Sequence, residues 1–197
     1  TPSAINTVIA KYDGGGTRSY GLQLNTNGTL TFFWGTDGSN TFTGTSTVAT
    51  GVADGTTKWV RATMDVNNGA SGYDIKFYLS DDGTTWTQLG TTVTGVGTTS
   101  IFAGSALLRV GQVDTSGNPA RGKFYRAQVL NGIGGTTVFD ANFETAMTSQ
   151  TVTSFTESSS NAATVTVNRT TYNFQLDTIN NLGNAGSLLP TTLGSST

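Results

Sequence analysis

The stretch that decides the fold is residues 58–90, KWVRATMDVNNGASGYDIKFYLSDDGTTWTQLG. Val60, Ala62, Met64 and Val66 fall on one side of its first run and Trp59, Arg61, Thr63 and Asp65 on the other, the period of a half-buried strand. Asn68-Gly69 interrupts that run. The next run sets Tyr73, Ile75, Phe77 and Leu79 against Asp74, Lys76, Tyr78 and Ser80, and Asp82-Gly83 closes it before a third short run at 84–89. Asx-Gly pairs between alternating runs are hairpin signals, so the stretch predicts a three-stranded antiparallel meander.

The same grammar extends outward. Upstream, residues 5–11 form a short apolar run ending near Asp13-Gly14. Tyr20, Leu22 and Leu24 then alternate with polar or small residues, and Asn27-Gly28 turns the chain into Leu30, Phe32 and Trp34, a second hairpin. The Thr-rich residues 41–50 read as an edge strand with little to bury. Downstream, 91–104 reads as a loop or a short strand with a turn, 107–113 as a strand, and the polar, proline-containing 114–121 as an exposed loop. Strands are expected at 122–130, with Tyr125, Ala127 and Val129 on one face, and at 138–143 and 163–168. Asx-Gly pairs begin at Asp13, Asn27, Asp37, Asp54, Asn68, Asp82 and Asn131, mostly about 10 to 15 residues apart, the spacing of short strands in a sandwich or jelly roll. Past Arg169 the pattern dissolves, and 171–197 reads as a linker or tail, leaving 1–170 as one domain.

Composition narrows the function classes. The 39 threonines and 26 glycines suit exposed strand faces and tight turns. Charged residues are only 11% of the chain and the net charge is -2, with the ten basic residues scattered, so there is no electrostatic footprint for nucleic acid or an anionic membrane. Without cysteine or histidine, Ser-His-Asp and Cys-His catalysis are impossible, and the commonest transition-metal ligands are missing. No apolar run approaches the roughly 18 residues of a membrane span, and residues 1–13 lack the basic and apolar regions of a signal peptide.

Several segments together resemble a concanavalin A-like (laminin G-like) jelly-roll domain: YGLQLNTNGTLTFFW, KWVRATMDVNNG with YDIKFYLSDDGTTWTQLG, SIFAG, LLRVGQ and GKFYRAQVLNGIGGTTVFDANF. The wording of DGTTWTQLG and FYRAQVLNGIGGTTVFDANF is similar to jelly-roll modules in virion proteins of tailed bacteriophages, notably minor tail proteins. The resemblance covers about residues 5–168. It implies an antiparallel β-sandwich that acts as a non-enzymatic structural or adhesion module of a virion, in the tail, with other virion proteins and copies of itself as partners. A lectin attaching to host cell-wall glycan and a capsid decoration protein are the alternatives. Members of the family carry one or two further strands ahead of the matching region, so a preceding segment or a neighbouring chain is expected to supply one.

The resemblance also raises chemistry that the residues do not carry. Glucanases of this fold need two carboxylates about 5 Å apart on one strand, in a Glu-x-Asp-x-x-Glu run. Glu144 and Glu157 are the only glutamates and neither sits in such a run, so no catalytic residue is assigned. Asp65, Asn67 and Gly69 superficially match a calcium loop, but Ala70 and Lys76 replace its Gly and Glu, and the turn reading wins. Residues 80–86 approach an Asp-box hairpin but are one residue short. Neither a metal nor a cofactor is expected. For glycan, aromatic platforms are available in Trp34, Trp59, Trp86, Tyr20, Tyr78 and Phe124. The candidate set is Trp34, Trp59, Arg61 and Tyr78, rimmed by loops holding Asp37, Asn40, Asp114 and Asn118; the competing reading makes these rings core.

Overall fold

The computed structural model describes residues 2–114 and 117–168; the expected tail at 171–197 lies outside them. The chain is all-β, with thirteen antiparallel strands and one helical turn among the described residues. The first sheet contains β1 (Asn6–Lys11), β2 (Arg18–Leu24), β3 (Leu30–Gly38), β4 (Phe42–Thr45) and β9 (Leu108–Val110), in the order β4-β3-β2-β1-β9. The second contains β5 (Trp59–Asp65), β6 (Gly72–Ser80), β7 (Thr87–Gln88) and β8 (Val93–Val96).

The meander forms as its alternation requires. β5 pairs with β6 in unbroken register from Trp59↔Ser80 to Asp65↔Asp74. On the other side of β6, β7 and β8 form one interrupted edge line, Leu79↔Thr87 followed by Ile75↔Val93, with the Leu89 amide donating to the Phe77 carbonyl at 2.7 Å where the line breaks. Six of the seven Asx-Gly glycines adopt φ between 73° and 88°, the left-handed region that side-chain-bearing residues avoid.

The sheets pack face to face. Leu22, Leu30 and Trp34 of the first sheet meet Ile75 and Phe77 of the second, together with Leu89, and Val60, Ala62, Met64, Tyr73 and Leu79 pack around them. Those are the residues whose phase in 58–90 marks a core face. Gly44 of β4 lies so close to Ile75 and Val93 that a Cβ there would overlap the isoleucine, which sets the β4 side of one sheet over the β6–β8 side of the other. At the opposite side the second sheet stops at β5, whose outer edge carries no strand among the described residues.

The outer face of the first sheet shows how a small residue fixes packing. The Phe33 ring lies flat on Gly21, its cross-strand partner, and Tyr12 meets it edge-on at 5.1 Å between centroids. A methyl at Gly21 would overlap that ring. Gly21→Ala is therefore expected to destabilise the protein by about 1–3 kcal/mol, the usual range for overpacking, read as a lower urea midpoint with unchanged slope.

The last strands depart from expectation. β10 (Arg126–Asn131) pairs only with β11 (Thr136–Asn142), and β12 (Ser154–Thr156) only with β13 (Thr164–Thr166); neither pair hydrogen-bonds to the two large sheets. The 122–130 strand thus hydrogen-bonds to neither large sheet. Its unit has its own apolar contacts, with Ala141 fully buried and Phe143, on the short helix α1 (Phe143–Ala146), edge-on to Phe155 at 5.6 Å. It also has its own polar centre. Arg126 grips Asp140 with two nitrogens at 2.7 and 2.5 Å, while buried Glu157 accepts from the amides of Asp140, Ser159 and Ala163 and from the Ser159 hydroxyl, all within 3.0 Å.

Candidate functional site

The outer face of the β5–β6–β7 sheet gathers three of the four residues of the candidate set. Trp59, Arg61 and Tyr78 all project there, because they share the phase opposite to Val60, Ala62 and Phe77. Arg61 and Tyr78 are directly cross-strand. The Arg61 guanidinium carbon lies 4.3 Å from the centroid of the Tyr78 ring and 4.3 Å from that of Trp86, so the cation is held between two aromatic faces. Trp59 stands at the edge of this cluster with its indole against Gly83 of the hairpin turn.

Beyond Tyr78 the face becomes polar. Thr63 is cross-strand to Lys76 and Asp65 to Asp74, and with Tyr78 and Ile133 they line a shallow pocket of about 90 Å³. That is well short of the several hundred Å³ of an enclosed small-molecule site, so what this surface offers is an open face. Ile133, in the turn between β10 and β11, is the residue of the C-terminal unit that reaches it.

The remaining set members are elsewhere. Trp34 is fully buried, stacked between Phe32 and Phe42, edge-on to Tyr73, with its Nε1 donating to Thr99 at 3.0 Å. It is a core residue, and its inclusion as a sugar platform is corrected: no face of the indole is left for a ligand. Asp37 closes a turn on the first sheet, accepting from the amides of Ser39 and Asn40 at 2.8 Å and from the Asn40 side chain. Asn118 lies beside β1, its carbonyl accepting from the Thr7 amide at 3.1 Å, and Asp114 accepts from the Gly117 amide at 2.6 Å. The expected rim thus serves local turns around the first sheet and does not border the Trp59–Tyr78 face.

Two members of the cluster were missing from that set. Lys76 shares the phase of Tyr78, and that alternation is the signal that finds it. Trp86 sits just ahead of a strand of two residues, too short for periodicity to orient it.

Five carboxylates, Asp37, Asp74, Asp82, Asp140 and Glu157, titrate below the ordinary range. Hydrogen bonds from the Thr85 and Thr84 amides hold Asp82 far below the ordinary range, and those from the Asn40 and Ser39 amides lower Asp37. The Asn68 and Thr94 side chains lower Asp74, with Lys76 adding to the effect, and Arg126 lowers Asp140. Burial opposes ionisation of Glu157, but four hydrogen bonds outweigh it and bring the group down to about 2. A general acid in glycoside hydrolysis needs the opposite shift. Among the described residues no group of three or more acidic side chains could hold a metal ion, and no helix is long and apolar enough to cross a membrane.

Compared with known proteins, no family model matches this chain, and no curated protein and no solved structure matches it either.

Proposed function

We propose that this chain is a non-enzymatic structural and adhesion module of a tailed-bacteriophage virion, located in the tail and related to the concanavalin A-like jelly rolls that its sequence resembles. The observation that carries this reading is the β5 edge. Seven residues, free of proline and in unbroken register with β6, end a sheet that is narrower than the one it packs on. Such an edge is an acceptor for a strand from a neighbouring polypeptide, the mode by which repeated modules join without side-chain chemistry. The carboxylates support the non-enzymatic part: Asp82 in its turn, Asp140 in its ion pair and Glu157 in its buried hydrogen bonds are all held in the charged form. The partners are other virion proteins and further copies of the chain.

The test is antibody labelling of purified particles. Label along the tail is the expected result; label over the capsid shell would favour a decoration protein, and particles without the chain would end the virion reading.

A second reading, a lectin that attaches the particle to host cell-wall glycan, is favoured by one specific feature, the open face bearing Trp59, Arg61, Tyr78 and Trp86. Saturable binding to isolated cell walls, reduced at least about tenfold by Trp59→Ala with the thermal midpoint shifted by no more than a few degrees, is the result expected of a lectin. Binding that Trp59→Ala leaves intact removes this face from consideration.

A further inference from the structure

Arg61 is a cation with no acidic partner among the described residues. The ion pairs among the described residues are Lys58–Asp81, Arg109–Asp13 and Arg126–Asp140, and Arg61 is in none of them. Its Nε is buried without a hydrogen-bond partner. Its two terminal nitrogens donate no hydrogen bond among the described residues and are not fully buried. Two rings restrain the guanidinium, with its carbon 4.3 Å from each centroid, and a restrained fork is preorganised for a planar or tetrahedral anion.

A second cation lies close by. Lys76 precedes Tyr78 by two residues on the same face, about 7 Å along the strand, and forms no ion pair within 4 Å among the described residues. Asp74, two residues before Lys76 on the same face, feels the lysine's charge but is engaged by the Asn68 and Thr94 side chains, and its cross-strand partner is Asp65, so the carboxylates lie on the far side of Lys76 from Arg61. The face therefore runs from an aromatic, cationic half to a hydroxyl- and carboxylate-bearing half, which suits a ligand carrying both an anionic group and hydroxyls.

We infer that the outer face of the β5–β6–β7 sheet binds an anionic polysaccharide, with Arg61 receiving a sugar carboxylate or a phosphodiester and Lys76 contributing a second charge. This rests on the lectin reading of the same face and adds the ligand's charge to it. Recognition is short-range, because a chain of net charge -2 exerts no long-range attraction on a polyanion. A bidentate pair on a guanidinium restrained by two rings also loses less to side-chain freedom than a contact to a flexible lysine, so Arg61 carries more of the affinity than Lys76.

The experiment is titration of the intact chain with polygalacturonate, poly(glycerol phosphate) and uncharged dextran at about 0.15 M salt. Saturable binding to one or both anionic polymers and none to dextran is expected, and the polymer that binds identifies the anion as carboxylate or phosphodiester. Arg61→Gln is expected to weaken binding by about tenfold or more, Lys76→Gln by about threefold, and Lys123→Gln, on an exposed lysine outside the face, not at all. Arg61→Lys keeps the charge but loses the fork and the stacking, and is expected to fall near Arg61→Gln. Because Arg61 also packs on two rings, each variant's thermal midpoint is measured, and Lys76→Gln tests the site should Arg61→Gln fail to fold. Equal binding of dextran, or anionic binding that neither variant weakens, overturns the charge assignment and leaves a neutral-glycan lectin standing. Absence of binding to all three polymers and to isolated host cell walls overturns both.

Discussion

Trp34→Ala is expected to cost about 4 kcal/mol, a large part of the stability of a domain this size. The indole is fully buried, touches three other rings and donates a hydrogen bond to Thr99, so truncation leaves a cavity between the sheets and an unpaired hydroxyl beside it. Urea unfolding followed by far-UV circular dichroism measures the loss. A cost under about 1 kcal/mol would mean that the two sheets do not enclose this ring. Because folding is at stake, Trp34→Ala cannot serve as a test of ligand binding. Trp59, on the open face, can.

The second large effect belongs to Glu157. Replacing it with glutamine is expected to open the C-terminal unit at a cost of about 3 kcal/mol, since both carboxylate oxygens accept from N–H or O–H donors and an amide nitrogen in place of either would confront a donor. The sign of the pH dependence follows from the lowered titration. Its value of about 2 in the folded chain lies below the ordinary 4.5, so the stabilisation is complete above about pH 4.5 and is lost as the pH falls from there towards 2. Asp140, also lowered, acts in the same direction. Trp34, Trp59 and Trp86 all lie in the sandwich, so tryptophan emission should stay native while the amides of Asp140, Ser159 and Ala163 lose exchange protection. Simultaneous loss of both signals would show that the hairpins and the sandwich unfold as one unit.

Much of this architecture was readable in the residues. Alternation in 58–80 assigns each side chain of β5 and β6 to a face, and Asx-Gly pairs mark the reversals because few other residues accept positive φ. Even the correction to Trp34 had a signal: it is in phase with Leu30 and Phe32, the apolar set of its strand, whereas Trp59 is in phase with Arg61. Short elements were harder. β9 spans three residues where seven were expected, and β12, with only Phe155 half-buried, has no alternation long enough to detect. The pairing of the 122–130 strand was not legible for a different reason. Its alternation specifies that one face is covered but not which strand it pairs with, and the pairing is with β11 alone.

The sequence by itself determined the class of fold, the hairpin pairings around 58–80 and the division of that stretch into an apolar and a polar face, because these depend on local backbone geometry and period-two burial. Only the tertiary structure decided that Trp86 closes over Arg61, that the polar face stays open, and that Glu157 reaches back seventeen residues to Asp140. Those contacts join segments whose meeting depends on how turns and sheets stack in space, and no local periodicity encodes that distance.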